Sequence, residues 1–382
     1  MLSGRVATLA RAWGIPHSGE CGYGERGDSS IFTQRVHSMA IKQLNVFSTC
    51  PQSKDVPASE YLDQVAEVAR WSEIAGCKGI LIYADNGLVD PWIVSHVVFR
   101  HTMDLCPLVA IQPVYMHPYA AAKIVSSYAY LYGRQMYLNM IAGGFKNDLV
   151  ALNDNTPHDD RYKRLTEYTV IMRQLLESPN PVTFEGQYYS VRNLKMNPPL
   201  PADLMPGILM SGSSEAGLQA ARDSGATAIR YPQRPDQEAQ LPRDPSLPSG
   251  VRVGIIARGT TEEAWAVATE RFPADKKGHL LHQLAMKTSD SQWHKQLSEM
   301  SRADSTDPDD PYWLGPFENY KTFCPYLVGS YERVATEISR YVAVGYETFI
   351  LDIPPSIEEL QHTKLVFEEA VNLANLQPSF DR

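Results

Sequence analysis

The chain has no Cys-x-x-Cys pair, no block of basic charge and no apolar run approaching the ~20 residues of a membrane span. Its five cysteines, Cys21, Cys50, Cys77, Cys106 and Cys324, are scattered and odd in number, which excludes a zinc-ribbon spacing and offers no disulfide framework. Several fall at or inside predicted strands, where cysteine acts as a small buried hydrophobe, so a reducing cytoplasm is the expected compartment. Lys and Arg number 35 against 44 Asp and Glu, a net charge of −9 that repels a nucleic-acid partner. The start, Met1-Leu2-Ser3-Gly4-Arg5, lacks the apolar core of a secretory signal. What is present is 43 % hydrophobic and 21 % charged over 382 residues, the profile of a globular enzyme with a large core. That length suits either two domains or one α/β barrel with insertions.

Residues 1–38, rich in Gly, Ser and Arg, show no period and read either as an extended arm or as a start placed too early, with Met39 as the true one. From Lys42 onward short apolar strands alternate with helical stripes. The strands are expected at Leu44–Phe47, Gly79–Tyr83, Pro107–Ile111, Met136–Ile141, Gly207–Met210, Ala226–Ile229, Val251–Ile256 and Thr348–Asp352. Helix starts are marked by Asp90-Pro91 and by the capping box Thr260-Thr261-Glu262-Glu263. A two-stranded excursion is expected within 181–205. Continuous apolar strands separated by helices indicate a parallel sheet, and this number suggests closure into a (β/α)8 TIM barrel. The polar, aromatic stretch 272–327 is expected to form an insertion, serving as a lid or a substrate wall, within one domain spanning 39–382.

In such a barrel the chemistry lies at the C-terminal ends of the strands. Those ends carry amides, hydroxyls, glycines and aromatics. There is no His or carboxylate cluster at metal spacing, no Gly-x-Ser-x-Gly elbow and no strand-end lysine suited to Schiff-base work. Met210-Ser211-Gly212-Ser213-Ser214, running out of a strand and into a helix, has the composition of an anion cradle. The set suits a flat, phosphate-bearing cofactor that brings its own reactivity.

Several motifs in register extend this reading. They are Leu81-Ile82 with Asp90-x-Trp92, Asn139-x-x-x-Gly143-Gly144, Asp160-Arg161-Tyr162, Thr183-Phe184-Glu185-Gly186, Gly212-Ser213-Ser214, Thr261-Glu262-Glu263-Ala264-Trp265, Leu327-Val328-Gly329 and Gly345-x-x-x-Phe349-Ile350-Leu351. Through them the chain, from about Lys42 to Leu373, resembles the bacterial luciferase-like flavin monooxygenases, and within them the alkanesulfonate monooxygenase branch. The resemblance implies FMN as FMNH2, delivered by a separate NAD(P)H-dependent reductase, and O2, reacting through a flavin hydroperoxide; it also implies a homodimer or homotetramer. It assigns the FMN phosphate to Tyr162, Ser213 and Ser214 beside Gly212, the ring or ribityl chain to Asn139, Ala142 and Gly143, and the ring border to Tyr83 and Gln112.

The substrate-side positions do not carry over. Leu88 stands where the alkanesulfonate enzymes have a cysteine, Cys50 and Gly254 where they have histidines, Tyr320 where they have an arginine and Tyr231 where they have a tryptophan. Pro354 and Ser356 replace a further tyrosine and histidine, while Arg252 is kept. A sulfonate needs cationic donors and its reaction needs titratable groups, so desulfonation is not expected. Substrate contacts are expected from Cys50, Asn86, Leu88, Arg230, Tyr231, Arg252, Trp313 and Tyr320, with no catalytic base identified. The expected activity is monooxygenation of an organic small molecule. The alternatives are a deazaflavin-dependent oxidoreductase of the same fold and a non-catalytic flavin-binding homologue.

Overall fold

The computed structural model describes residues 44–143, 146–242, 244–288 and 310–376. The expected arm at 1–38 and the middle of the expected insertion, 289–309, lie outside the described residues.

In chain order the strands are β1 (Asn45–Thr49), β2 (Gly79–Ile82), β3 (Cys106–Ile111), β4 (Tyr137–Ile141), β5 (Val182–Glu185), β6 (Ser190–Leu194), β7 (Gly207–Ser211), β8 (Thr227–Arg230), β9 (Ser249–Arg252), β10 (Gly254–Arg258), β11 (Tyr312–Trp313), β12 (Tyr326–Ser330) and β13 (Tyr346–Ile350). Strands β1, β2, β3, β4, β7, β8, β9 and β13 pair in parallel and close into a barrel, as the alternating pattern predicts. The β5–β6 hairpin stands outside it, as expected for the excursion. Around the barrel run α1 (Tyr61–Ile74), α2 (Pro91–His101), α3 (Pro118–Tyr132), α4 (Lys146–Ala151), α5 (His158–Glu177), α6 (Glu215–Ser224), α7 (Pro235–Glu238), α8 (Thr261–Arg271), α9 (Lys276–Thr288), α10 (Gly315–Glu318), α11 (Tyr331–Ala343) and α12 (Ile357–Leu376). No helix among the described residues is long and apolar enough to cross a membrane.

Local chemistry starts several helices where the sequence marks them. Asp90 Oδ1 accepts from the Trp92 N–H at 2.8 Å, with Pro91 in the first turn of α2. Thr260 and Glu263 complete a reciprocal capping box at α8, satisfying two N–H groups that the helix leaves unpaired. His117 is structural: its Nδ1 caps α3 by accepting from the Tyr119 N–H at 3.1 Å.

The seventh strand departs from expectation. The run 251–256 is continuous in sequence, yet it divides at Val253. β9 pairs with β8 and β13 in the barrel, whereas β10 leaves it to pair with β12 in a second small sheet that also holds β11. The Val253 N–H still donates to the Ile350 carbonyl in the barrel at 3.0 Å, and the next N–H, of Gly254, donates to the Pro325 carbonyl at 2.8 Å. The described part of the 272–327 stretch is therefore built onto this second sheet as α9, β11 and α10.

The barrel lumen is plugged by Phe47, Leu81, Leu108, Leu209, Ile229 and Ile350, with Tyr137 and Tyr83 packed against them. A second apolar layer lies between the strands and the helices.

Away from the strand C-termini, Glu73 of α1 fixes the loop entering β3. Its Oε1 accepts the N–H groups of Met103, Asp104 and Leu105 at 2.8, 2.6 and 3.1 Å. Burial pushes this carboxyl up, but the three N–H donors and Arg134 outweigh it and hold it below the ordinary glutamate value. A carboxylate with a depressed folded-state pKa contributes stability that is full above its unfolded value and lost as pH falls through the folded one. Glu73→Ala is accordingly expected to cost about 2 kcal/mol in urea unfolding at neutral pH, the scale of hydrogen bonds to a charged group, with the difference from wild type shrinking in acid. A difference that stays constant with pH would refute this assignment.

Candidate active site

One cavity opens at the C-terminal ends of the barrel strands, with a volume of about 370 Å³. This is within the range of small-molecule sites and lies where the fold places its chemistry. Its floor is the top of the lumen core, where Leu81, Ala110 and Ile229 reach the surface of the cavity.

On one side lies the small-residue turn after β7. Gly212 packs so closely against Tyr162 of α5 that a Cβ there would sit 2.4 Å from the phenol oxygen. Ser213 lines the cavity, and its Oγ is buried with no hydrogen-bond partner. Ser214 caps α6, its Oγ accepting the Gly217 N–H at 3.1 Å, and it is not on the cavity wall. Burial raises the Tyr162 phenol above its ordinary value, against the opposing effects of a Ser214 hydrogen bond and the Arg161 charge, so the group stays protonated at neutral pH. A neutral phenol, an unsatisfied hydroxyl and a helix start thus converge at one end of the cavity.

The amides follow. Asn139 on β4 is buried, and the Ser211 hydroxyl donates to its Oδ1 at 2.8 Å, which leaves Nδ2 for a bound group. Gln112 donates through Nε2 to the Ala84 carbonyl at 3.3 Å and to the Tyr115 oxygen at 3.2 Å. Ala142 and Gly143, the latter with φ of 101°, carry the chain along the wall after β4. Tyr83 lies opposite, its hydroxyl accepting a hydrogen bond from Arg252.

Of the expected substrate positions, Leu88, Tyr231, Arg252 and Tyr320 line the same cavity. Burial, then the neighbouring Cys324 thiol and Asp352 carboxylate, push the Tyr231 phenol well above its ordinary value. Asn86 sits behind the wall, tied to the Asp148 carbonyl at 3.1 Å and to the Tyr115 hydroxyl at 2.8 Å. Three positions are elsewhere. Cys50 is buried among Tyr61, Val65 and Val94 on the outer side of the barrel, where burial drives its thiol pKa far up. Arg230 turns outward to Glu238, at 3.8 Å, and lies over the Tyr346 ring. Trp313 packs edge-on against Trp265 and Phe272 in the second sheet. Arg258, at the end of β10, pairs with Glu359 instead of facing the cavity.

Several cavity residues were not anticipated. Gln52 and Lys54 belong to the loop after β1, beyond the strand end at which the sequence reading stopped. Asp148 comes from the short helix α4, and burial and the Asp85 charge push its carboxyl above the ordinary value. Phe323 follows Tyr320, to which its ring stands edge-on at 5.9 Å, and the aromatic density of 312–323 was its signal. No group of three or more His, Cys, Asp or Glu suited to a metal occurs among the described residues.

Comparison with known proteins fits this geometry. Residues 43–348 match the family model described as luciferase-like monooxygenase. The chain is 36 % identical over 319 residues, 82 % of its length and 93 % of the relative's, to the 4-(gamma-L-glutamylamino)butanoyl acyl-carrier-protein monooxygenase BtrO of Niallia circulans. Two solved structures share the fold at low identity. One is the oxygenating constituent of the type II Baeyer–Villiger 3,6-diketocamphane monooxygenase of Pseudomonas putida, in complex with FMN (14 % identity, TM-score 0.63, 86 % of this chain and 98 % of that one). The other is an F420-dependent secondary alcohol dehydrogenase holding an F420–acetone adduct (16 % identity, TM-score 0.60, 86 % and 99 %). With the family model matching most of its length, the chain belongs to the luciferase-like monooxygenase family.

Proposed function

We propose that the chain is the oxygenase of a two-component system. It takes reduced FMN from a separate NAD(P)H-dependent flavin reductase and oxidises a polar organic molecule with O2. The observation that carries this reading is the cradle after β7, where the Ser213 Oγ is buried without a partner beside a glycine that has no room for a Cβ. A phosphate supplies the acceptor this hydroxyl lacks. It also complements the N–H groups at the start of α6 and accepts from the protonated Tyr162 phenol. The residues present therefore fit FMN.

Bound reduced flavin supplies the two electrons that activate O2. The chain's own residues bind, orient and exclude water. Asn139, whose Nδ2 is left for a bound group, and Gln112, fixed by its bonds to Ala84 and Tyr115, would hold the ring, and the lumen core would keep water from it. On the substrate side the wall carries Lys54 and Arg252 with Asp85 and Asp148, both signs of charge on one cavity. That suits a substrate carrying both a carboxylate and an amine. The acyl group in the name of the 36 % identical relative, which carries a glutamyl amide, is of this kind.

The test is parallel calorimetric titration of the purified full chain with FMN, riboflavin and a deazaflavin. FMN is expected to bind at least about ten-fold more tightly than riboflavin, the value of one charge-assisted hydrogen bond. Equal affinity for riboflavin would remove the phosphate cradle. Binding of the deazaflavin alone would replace oxygenation by hydride transfer.

A further inference from the structure

Four side chains form an ordered chain that ends on the cavity wall, which Arg252 and Tyr83 line while Tyr326 and Asp352 lie behind it. The Tyr326 hydroxyl of β12 donates to Asp352 Oδ2 at 2.8 Å. Asp352 Oδ1 lies 3.7 Å from the Arg252 guanidinium. Arg252 in turn donates to the Tyr83 hydroxyl oxygen, with its guanidinium carbon 5.0 Å from the centre of that ring. Arg252 is only 6 % exposed, and its Nε is buried without a hydrogen-bond partner. The Arg252–Asp352 contact is an ion pair and the other two are hydrogen bonds. An arginine only donates, so the Tyr83 oxygen is the acceptor and its own O–H proton is left to face the cavity that Tyr83 lines.

Of the other phenols on the cavity, Tyr162 belongs to the phosphate cradle, Tyr231 is buried beside Asp352 and Tyr320 lies near Asp85. No described histidine lines the cavity.

Resting on the flavin reading above, we infer that Tyr83 is the proton donor of the reaction and that Arg252 and Asp352 are its positioning residues. In a monooxygenation one atom of O2 enters the substrate and the other leaves as water; without substrate, both leave as hydrogen peroxide. The Tyr83 O–H bond breaks and its proton goes to the departing oxygen. The second proton and the two electrons come from FMNH2, whose other proton passes to solvent. The phenolate, held against the Arg252 cation, regains a proton from solvent through the cavity mouth. A cation on the phenol oxygen stabilises the charge left when that proton departs.

Two measurements on the full chain test this. In protein carrying tyrosine labelled with carbon-13 at Cζ, the Tyr83 signal is the one missing from Tyr83→Phe. It is expected to move in Arg252→Met and in Asp352→Asn, and to be largely restored in Arg252→Lys, which keeps a donor. After reduced-FMN-loaded protein is mixed with oxygenated buffer, the oxidised-flavin spectrum is expected to return at least about ten-fold more slowly in Tyr83→Phe, at the low end for general acid catalysis. The solvent deuterium effect on that return should shrink as well. An unmoved signal in Arg252→Met, or wild-type reoxidation in Tyr83→Phe, would overturn the inference alone. A wild type that binds no FMN would overturn the flavin reading and this inference with it.

Discussion

Gly212→Val is expected to abolish FMN binding while the barrel still folds. A Cβ at this position would lie 2.4 Å from the Tyr162 oxygen and 3.0 Å from its ring carbon, so the tyrosine must leave the cradle. Its departure also breaks the seating of Ser213 and of the first turn of α6, against which Gly217 packs the same ring. Two charge-assisted hydrogen bonds to phosphate, at roughly 1.5–3 kcal/mol each, amount to at least a hundred-fold in affinity. The overpacking itself is expected to cost about 1–3 kcal/mol of stability. Titration of FMN into the variant, with circular dichroism as the check on folding, decides between these effects. A variant that binds FMN within a few-fold of wild type would mean that the phosphate sits elsewhere.

Phe47→Ala is expected to be the most damaging single truncation in the lumen, at about 3–5 kcal/mol in urea unfolding. Phe47 is fully buried and meets Tyr137 edge-on at 5.1 Å. It also fills the space that Gly79 leaves open, since a Cβ on Gly79 would come 2.9 Å from the Phe47 ring. Its neighbours in the plug, Leu81 and Ile229, also form the cavity floor, so the void lies directly beneath the site. FMN should then bind more weakly and with a less favourable enthalpy. A loss under 1.5 kcal/mol would mean that the lumen collapses around the gap.

The barrel was legible in the sequence because each buried strand is a short apolar run bounded by turn residues, and the cradle because small residues follow one such run. What escaped was the direction of side chains. Successive residues of a strand face opposite sides. Phe47 points into the lumen, so Ser48 faces outward, as its 2.6 Å bond to Ser72 of α1 shows, and Cys50 shares that side. Ile229 points inward, so Arg230 turns out to Glu238 while Tyr231 reaches the cavity. The same alternation, counted from outward-facing Val251, brings Arg252 in. Counting parity from one lumen residue per strand would have separated these positions beforehand. Trp313 is different in kind: its place depends on which sheet β11 joins, and nothing local in a two-residue strand specifies that.

The division of the seventh strand at Val253 has an evolutionary corollary. Consecutive amides there answer to two different sheets, so the chain passes from the barrel to the second sheet within a single peptide unit. Such a seam lets the segment between β10 and β12 lengthen, shorten or be exchanged without shifting the pairing of β9 with β8 and β13. Family members that divide at the same point should therefore differ most in length between these two strands and least around the cradle. A graft of that segment from one member to another should transfer substrate preference and leave flavin affinity in place.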